Sequence, residues 1–448
     1  MENITLEIRD DGIGVATLDM PDRPFNVFSE QMMDDLEATI AWACEDLHGL
    51  VIRSGKNSFV AGADLMMIKD FANMRFEADW QAMRHRFSRL GRLFRRMERS
   101  PIPIVAAING LALGGGLELA MACHGRVCID GAVPLLGLPE VGLGLLPGAG
   151  GTQRLPRLIG IEAAVKMLLD GASVTPEFSL EHGLVDRLAS EEDLLDVAVG
   201  LVRTIPPGAR WDQTQWQLTR TELALLDRPD WHEFCVGCGG WSEKQHNFYP
   251  AVGSIIDCVG KGVGLPFDAG CDVEWDIFVD LMSDPVAANM VVTCFLNKSL
   301  AKGADDSLQV LKASVRRYLA CNEASIGRVA RAAMAVDARL LVEWAGTDLS
   351  SVGRGLSQED RTAGLAMLTA IALDVWKNTD GFHDQLDAAA VLRAGWPQWT
   401  GGPIAYLAML QRGELQGADL SPDLNAAVAA IELALKTGAS YTRVSQAA

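Results

Sequence analysis

The sequence predicts an α/β core over about the first 190 of its 448 residues and a mainly α-helical half beyond it. Three observations carry that prediction. Short apolar runs alternate with longer amphipathic stretches as far as residue 190. A small-residue turn, Asn109-Gly110-Leu111-Ala112-Leu113-Gly114-Gly115-Gly116, follows one of the buried runs and opens a helix. After about residue 205, strand-like runs become scarce while helical periodicity persists.

The elements follow in order. Ile4, Leu6 and Ile8 alternate, as do Ile13, Val15 and Thr17, across a turn at Asp10-Asp11-Gly12, which predicts a β-hairpin. Ser29 offers an N-cap for a helix through about Ala43, and Gly49 to Arg53 reads as a short buried strand. Arg75 to Arg99 reads as one long helix with eight arginines, interleaved with Met83, Phe87, Leu90, Leu93 and Phe94. Its basic face is expected either to lie in solvent or to approach an anionic ligand. Pro101 and Pro103 end it, and Ile102 to Ala107 follows as a buried strand. A helix is expected from about Gly115 to His124, short strands around Cys128, Leu135 and Leu136, and a further helix opening at Pro147 to Arg154. Gly171 to Leu188 reads as a helix and a closing strand.

The boundaries fall at 1–190 for the core, 191–305 for a Trp-rich linker with connector helices, and 306–448 for a helical domain. The linker carries Trp211, Trp216, Trp231 and Trp241. A net charge of −19 disfavours nucleic acid and anionic membrane as partners. Nine cysteines lack framework spacing, and the first residues show no leader pattern, so a reduced, cytoplasmic protein is expected. Ile102 to Cys123 has the length of a membrane span, but Asn109, Glu118 and the central glycines argue against one. No transmembrane segment is expected.

Two turns bear on chemistry. Val60-Ala61-Gly62-Ala63-Asp64 and Leu113-Gly114-Gly115-Gly116 each leave backbone N–H groups uncovered. Gly115 is expected at a helix N-terminus, where unpaired N–H groups and the macrodipole favour negative charge. Glu118 follows just inside that helix, and Leu138-Pro139-Glu140 supplies a second carboxyl. A helix first-turn glutamate and an exposed loop acid are the ordinary structural readings of these two.

These two turns, with Leu138-Pro139-Glu140 and Pro147-Gly148-Ala149-Gly150-Gly151, resemble the crotonase, or enoyl-CoA hydratase/isomerase, family over residues 14–190. The resemblance implies a ββα spiral core that acts on acyl-CoA thioesters. It assigns the backbone N–H groups of Ala63 and Gly115 to an oxyanion hole and makes Glu118 and Glu140 the catalytic pair. Hydration of a 2-enoyl thioester needs a base for the water and an acid for C2, and two nearby carboxyls push their pKa values apart. Keeping both glutamates favours 2-enoyl-CoA hydratase over a Δ3-Δ2-enoyl-CoA isomerase or another crotonase reaction. His124 stands where the resemblance leads one to expect Asp, and a structural role is expected for it. Arg154 and Arg157 are left open between solvent and CoA phosphates.

Phe248-Tyr249-Pro250, Leu265-Pro266-Phe267-Asp268, Glu274 and Phe295-Leu296-Asn297-Lys298 resemble the connector of the multifunctional α-subunit of the bacterial fatty-acid oxidation complex. Gln385-Leu386-Asp387, Gly395-Trp396-Pro397 and Gly401-Gly402-Pro403 resemble the end of its 3-hydroxyacyl-CoA dehydrogenase. No Gly-x-Gly-x-x-Gly follows a strand in residues 304–380, so no NAD binding and no dehydrogenase activity are expected. The CoA of the substrate is the one cofactor-like group implied, and which residues bind it is not assigned. A homo-oligomer and a docked thiolase are compatible with the resemblance, and a scaffold role for such a complex is the alternative from a different class. Cys235-Val236-Gly237-Cys238 with His232 lacks a second ligand pair, and no metal is expected.

Overall fold

Residue Gly12, at φ +74°, turns the chain at Asp10-Asp11-Gly12 so that strand β1 (Ile4–Ile8) folds back antiparallel on β2 (Ile13–Leu18), with Ile4 opposite Leu18 and Ile8 opposite Gly14. The computed structural model describes residues 1–74, 79–241, 248–302, 304–321, 358–378, 383–394, 396–400 and 402–411, with Ala332, Ala333, Val336 and Ala338. Ser29 caps helix α1 (Glu30–Asp46), its hydroxyl accepting from Met32 N at 3.2 Å. The buried strand β3 (Gly49–Ser54) pairs in parallel with β2, and β4 (Ile104–Ile108) pairs in parallel with β3.

Between these strands run α2 (Leu65–Met74), α3 (Trp80–Phe87) and α4 (Arg89–Glu98). The single helix expected over 75–99 is interrupted at Ser88, whose hydroxyl donates to Arg84 O at 2.6 Å and so competes with the helical ladder. Residues 75–78 lie outside the described residues. The basic face is laced with ion pairs, while Arg96 and Arg99 stay more than half exposed. Arg84 pairs with Asp272 and Asp276 at 2.7 and 2.5 Å, Arg95 with Asp212 and Asp268 at 2.5 and 2.7 Å, Arg96 with Glu37 and Arg99 with Asp268. Arg86 and Arg89 pair with Glu30. The paired acids lie far away in sequence, which is why the charge pattern alone does not show the pairing.

After β5 (Ala112–Leu113) come α5 (Gly115–Ala122), β6 (Gly125–Ile129) and β7 (Leu136–Gly137), then α6 (Gly151–Ile159) and α7 (Ile161–Asp170). β8 (Ser173–Val174), α8 (Pro176–Glu181), β9 (Arg187–Ala189) and α9 (Leu194–Val202) complete the α/β part. Six strands form one sheet in the order β1-β2-β3-β4-β6-β9, parallel throughout except for β1. β5, β7 and β8 form a second, smaller sheet. The central strand β4 is apolar and buried along its whole length because both of its faces are covered. Ile13, Val51, Val105 and Val127 pack on Val199 and Val202 of α9 on one side.

Helices Arg220–Leu226 and Trp231–Cys238 follow, then Pro250–Gly262 and Phe267–Ser283. The chain divides into two compact units, Met1–Trp241 with Ala251–Leu281, and Ser242–Pro250 with Met282–Ala448. In the first, residues 251–281 of the expected connector belong with the α/β part. In the second, helices Asp305–Cys321, Gln358–Lys377, His383–Ala394 and Pro403–Gln411 bear out the helical half. Asp387 accepts from Ile404 N and Ala405 N at 2.8 and 3.0 Å, capping the last of these helices. Trp399 stacks on Phe248 at 4.8 Å. His246, Gly395 and Gly401 and much of 304–350 lie outside the described residues. Among the described residues no single helix is long and apolar enough to cross a membrane.

Candidate active site

The two glycine turns meet. Val60 bridges Ala112 in parallel, and Leu113 N donates to Val60 O at 3.1 Å. Gly116 lies so close to Val60 O that a β-carbon there would overlap it. On the other edge Phe28 bridges Ala63, its N–H donating to Gly62 O at 2.8 Å and its carbonyl accepting from Asp64 N at 2.9 Å. In a parallel bridge the partner's bonds go to the flanking residues, so the N–H of Ala63 itself points away from Phe28. Gly115 is the first residue of α5, where a helical N–H has no partner within its own helix. Among the described residues neither the Ala63 nor the Gly115 N–H donates to a backbone acceptor.

Glu118 stands in the first turn of α5 and is buried. Its carboxylate does not serve its own helix. Oε1 accepts from Ala149 N at 2.8 Å and Gly151 N at 2.7 Å, which are donors at the start of α6. Both of these bonds fall on one oxygen and leave Oε2 outside the pair. Burial raises the Glu118 carboxyl to about 7, while the two N–H bonds and the charge of Arg154 pull it the other way.

Glu140 opens the 3-10 helix Glu140–Leu143, directly after Pro139. As a residue it is half-buried, yet its Oε2 is sealed from solvent with no hydrogen-bond partner. An orphaned carboxylate oxygen is costly unless it is protonated or awaits a partner. Burial first, then the charge of Glu118 and of Glu274, holds this carboxyl well above the ordinary glutamate range. Oε1 of Glu140 lies where a side chain on Gly114 would project, and Gly114 adopts φ +52°. The glycine thus joins the Leu113–Gly116 turn to the second carboxyl.

Glu274, on the Phe267–Ser283 helix, enters the same cluster, and sequence reasoning gave it no role. Its Oε1 accepts from Gly150 N at 2.6 Å and its Oε2 from Thr152 N at 3.0 Å and from the Thr152 hydroxyl. Burial raises it to about 8, and the charge of Glu118 adds to that shift. The signal was there to find: Glu274 falls between Cys271 and Phe278 on the apolar stripe of its helix, where an unpaired acid would be expensive.

Arg154 and Arg157 are both buried, so neither open reading holds. Arg154 donates to Glu98 Oε1 at 2.7 Å and to Ala149 O at 2.6 Å. Arg157 donates to the carbonyls of Val263 and Leu265, both at 3.0 Å. His124 has a structural place: Ile104 N donates to its Nδ1 at 2.8 Å, and its Nε2 lies 3.1 Å from Glu98 O. Burial lowers its pKa, which suits the neutral ring that accepts from Ile104 N. Cys235 and Cys238 share one helix and are both pushed up by burial, and His232 lies 3.0 Å from Asp257.

Residues 9–214 match the family model described as enoyl-CoA hydratase/isomerase. A fatty acid oxidation complex subunit alpha from Shewanella amazonensis is 38% identical over 314 residues, covering 68% of this chain and 43% of that protein. The chain belongs to the enoyl-CoA hydratase/isomerase family. A second fatty acid oxidation complex subunit alpha, from Idiomarina loihiensis, is 36% identical over 312 residues and covers 67% of this chain and 42% of its own length. This family member therefore spans less than half the length of the curated relatives it matches. Among solved structures, Pseudomonas aeruginosa DspI is 32% identical, covering 45% of this chain and 80% of that one with a TM-score of 0.40. The family match ends at residue 214, so Glu274 reaches the carboxylate cluster from outside it.

Proposed function

We propose that this member of the family is a 2-enoyl-CoA hydratase, adding water across the α,β double bond of an acyl-CoA thioester. The observation that carries the reading is the pair of carboxyls with different environments in one cluster: Glu118, held through Oε1 by two N–H groups, and Glu140, with Oε2 buried and unpartnered. The two environments suggest the roles. Glu118, whose Oε1 accepts from two N–H groups that favour its anion, is the base that takes a proton from water, and Glu140, whose buried Oε2 has no partner to support a charge, is the acid that protonates C2. The N–H groups of Ala63 and Gly115 receive the charge that gathers on the thioester oxygen, and losing one such donor typically costs on the order of 3 kcal/mol of transition-state stabilisation.

The names of the curated relatives support a setting in fatty-acid oxidation. The same reading takes an acyl-CoA as ligand, places the enzyme in the cytoplasm, and gives it no NAD and no dehydrogenase activity, since the sequence of residues 304–380 contains no Gly-x-Gly-x-x-Gly. A homo-oligomer and a thiolase partner are checked by size exclusion and by co-purification.

The test is a pair of substrates. Full-length protein given crotonyl-CoA should bleach the absorbance of the conjugated thioester and yield the 3-hydroxy product. Protein that instead converts a 3-enoyl-CoA to the conjugated isomer, and leaves crotonyl-CoA unhydrated, would replace this reading with the isomerase.

A further inference from the structure

Helix α6 begins in the grip of two carboxylates from opposite directions. Glu118 accepts from Ala149 N and Gly151 N, and Glu274 accepts from Gly150 N, Thr152 N and the Thr152 hydroxyl. Four successive N–H groups are thus taken alternately by one acid and the other. Gly150 sits in the middle of this turn at φ +99°, a left-handed conformation that favours glycine. Neither carboxylate can hold its donors unless the turn keeps the shape that the other requires.

We propose that Glu274 is a positioning residue for the reaction, locking the Ala149–Thr152 turn so that Ala149 and Gly151 hold Glu118 in its working orientation. The inference rests on the hydratase reading of Glu118 and Glu140. It also extends the site past the family match, which ends at residue 214, onto the Phe267–Ser283 helix. The packing around Glu274 leaves little freedom. Gly270, one turn before it, meets the Gln153 side chain, and Gly148 of the turn meets the Phe278 ring one turn after it, where added β-carbons would come within 2.6 and 2.7 Å. The helix therefore lies against the turn on both sides of the acid.

The charged and titratable groups that face Glu274 are Glu118 on α5, Glu140 on its 3-10 helix, Arg154 on α6, Cys258 on the Pro250–Gly262 helix and Cys271 on its own helix. Of these Glu140 gives the readout that a purely structural role would not move. The Glu274 anion is a like charge that raises the Glu140 carboxyl, so a neutral side chain at 274 lowers it.

The experiment compares full-length wild-type protein with Glu274→Gln, Glu274→Asp, Thr152→Val and Glu118→Gln, using crotonyl-CoA from pH 5 to 10 and a thermal melt of each. An amide at 274 presents donors to donors. Glu274→Gln should therefore lose kcat on the order of 10²-fold with little change in KM, as expected for a misaligned group. The alkaline limb of its rate profile should move to lower pH, while Glu274→Asp loses rate and keeps the limb in place. Thr152→Val should lose kcat by a smaller factor, and a Thr152→Val, Glu274→Gln double variant should be no worse than Glu274→Gln alone, because both act on one turn. Wild-type kcat and an unmoved limb in Glu274→Gln, with Glu118→Gln inactive, overturn the positioning role and leave the hydratase reading intact. An inactive wild type, or a fully active Glu118→Gln, overturns the hydratase reading instead. Should Glu274→Gln fail to fold, Thr152→Val decides: unchanged kcat at an unchanged melting temperature overturns the proposal.

Discussion

Gly114 and Glu140 occupy space that leaves no room for a β-carbon: a side chain at 114 would run into Glu140 Oε1, and the backbone there sits at φ +52°, ψ −124°. The relationship ties the Leu113–Gly116 turn to the second carboxyl through one backbone position. Gly114→Ala should therefore fold with a penalty of about 1–3 kcal/mol from backbone strain. Its kcat should fall on the order of 10²-fold, because Glu140 must move. Chemical denaturation and crotonyl-CoA kinetics on the same preparation separate the two effects, and wild-type kcat would show that Glu140 need not stay where it is.

Much of this was legible in the sequence because the chemistry needs residues that local rules already mark. Glycines at 114 and 116 stand where backbone must approach Glu140 and Val60, and the turns that hold them are short-range features. The hairpin, the cap at Ser29 and the strand before Asn109 follow from periodicity and capping in the same way. What was illegible depends on partners far along the chain. Arg95 meets Asp268 and Arg84 meets Asp276, and nothing in an arginine's own neighbourhood says which acid will neutralise it. Glu274 was visible as a residue of the connector, but its target, the Gly150–Thr152 N–H groups, is fixed by how helices cross.

Stability should depend on pH through the same acids. Glu118 at about 7 and Glu274 at about 8 lie above the ordinary glutamate value of 4.5, so the folded state holds more protons than the unfolded chain between those limits. Their contribution is complete below about pH 4.5 and is lost as pH rises through 7 and 8. His124, lowered by burial, works in the opposite sense near its ordinary value of 6.5, favouring folding as pH rises. The difference between wild type and a Glu118→Gln, Glu274→Gln double variant cancels His124. That difference in unfolding free energy should move in favour of the variant from pH 5.5 to pH 8.5, and no movement would contradict the raised carboxyls.

Arg154 and Glu98 form a fully buried pair beneath Ala149, with Arg154 also donating to the Ala149 carbonyl. Removing one partner strands the other charge. Glu98→Ala should cost about 3–5 kcal/mol in a urea titration. Arg84→Ala, which breaks partly exposed pairs to Asp272 and Asp276, should cost less than about 1 kcal/mol. Equal costs would mean that burial does not separate the two.

In the proposed reaction Glu118 and Glu140 act together on water at a thioester held by the two glycine turns. The most direct measurement follows the conjugated-thioester absorbance of crotonyl-CoA with full-length wild type and with folded Glu140→Gln. Absorbance should fall rapidly with wild type and slower by several orders of magnitude with the variant, which keeps its shape but has no proton to give C2. Equal rates for the two proteins would contradict a role for Glu140 as the acid.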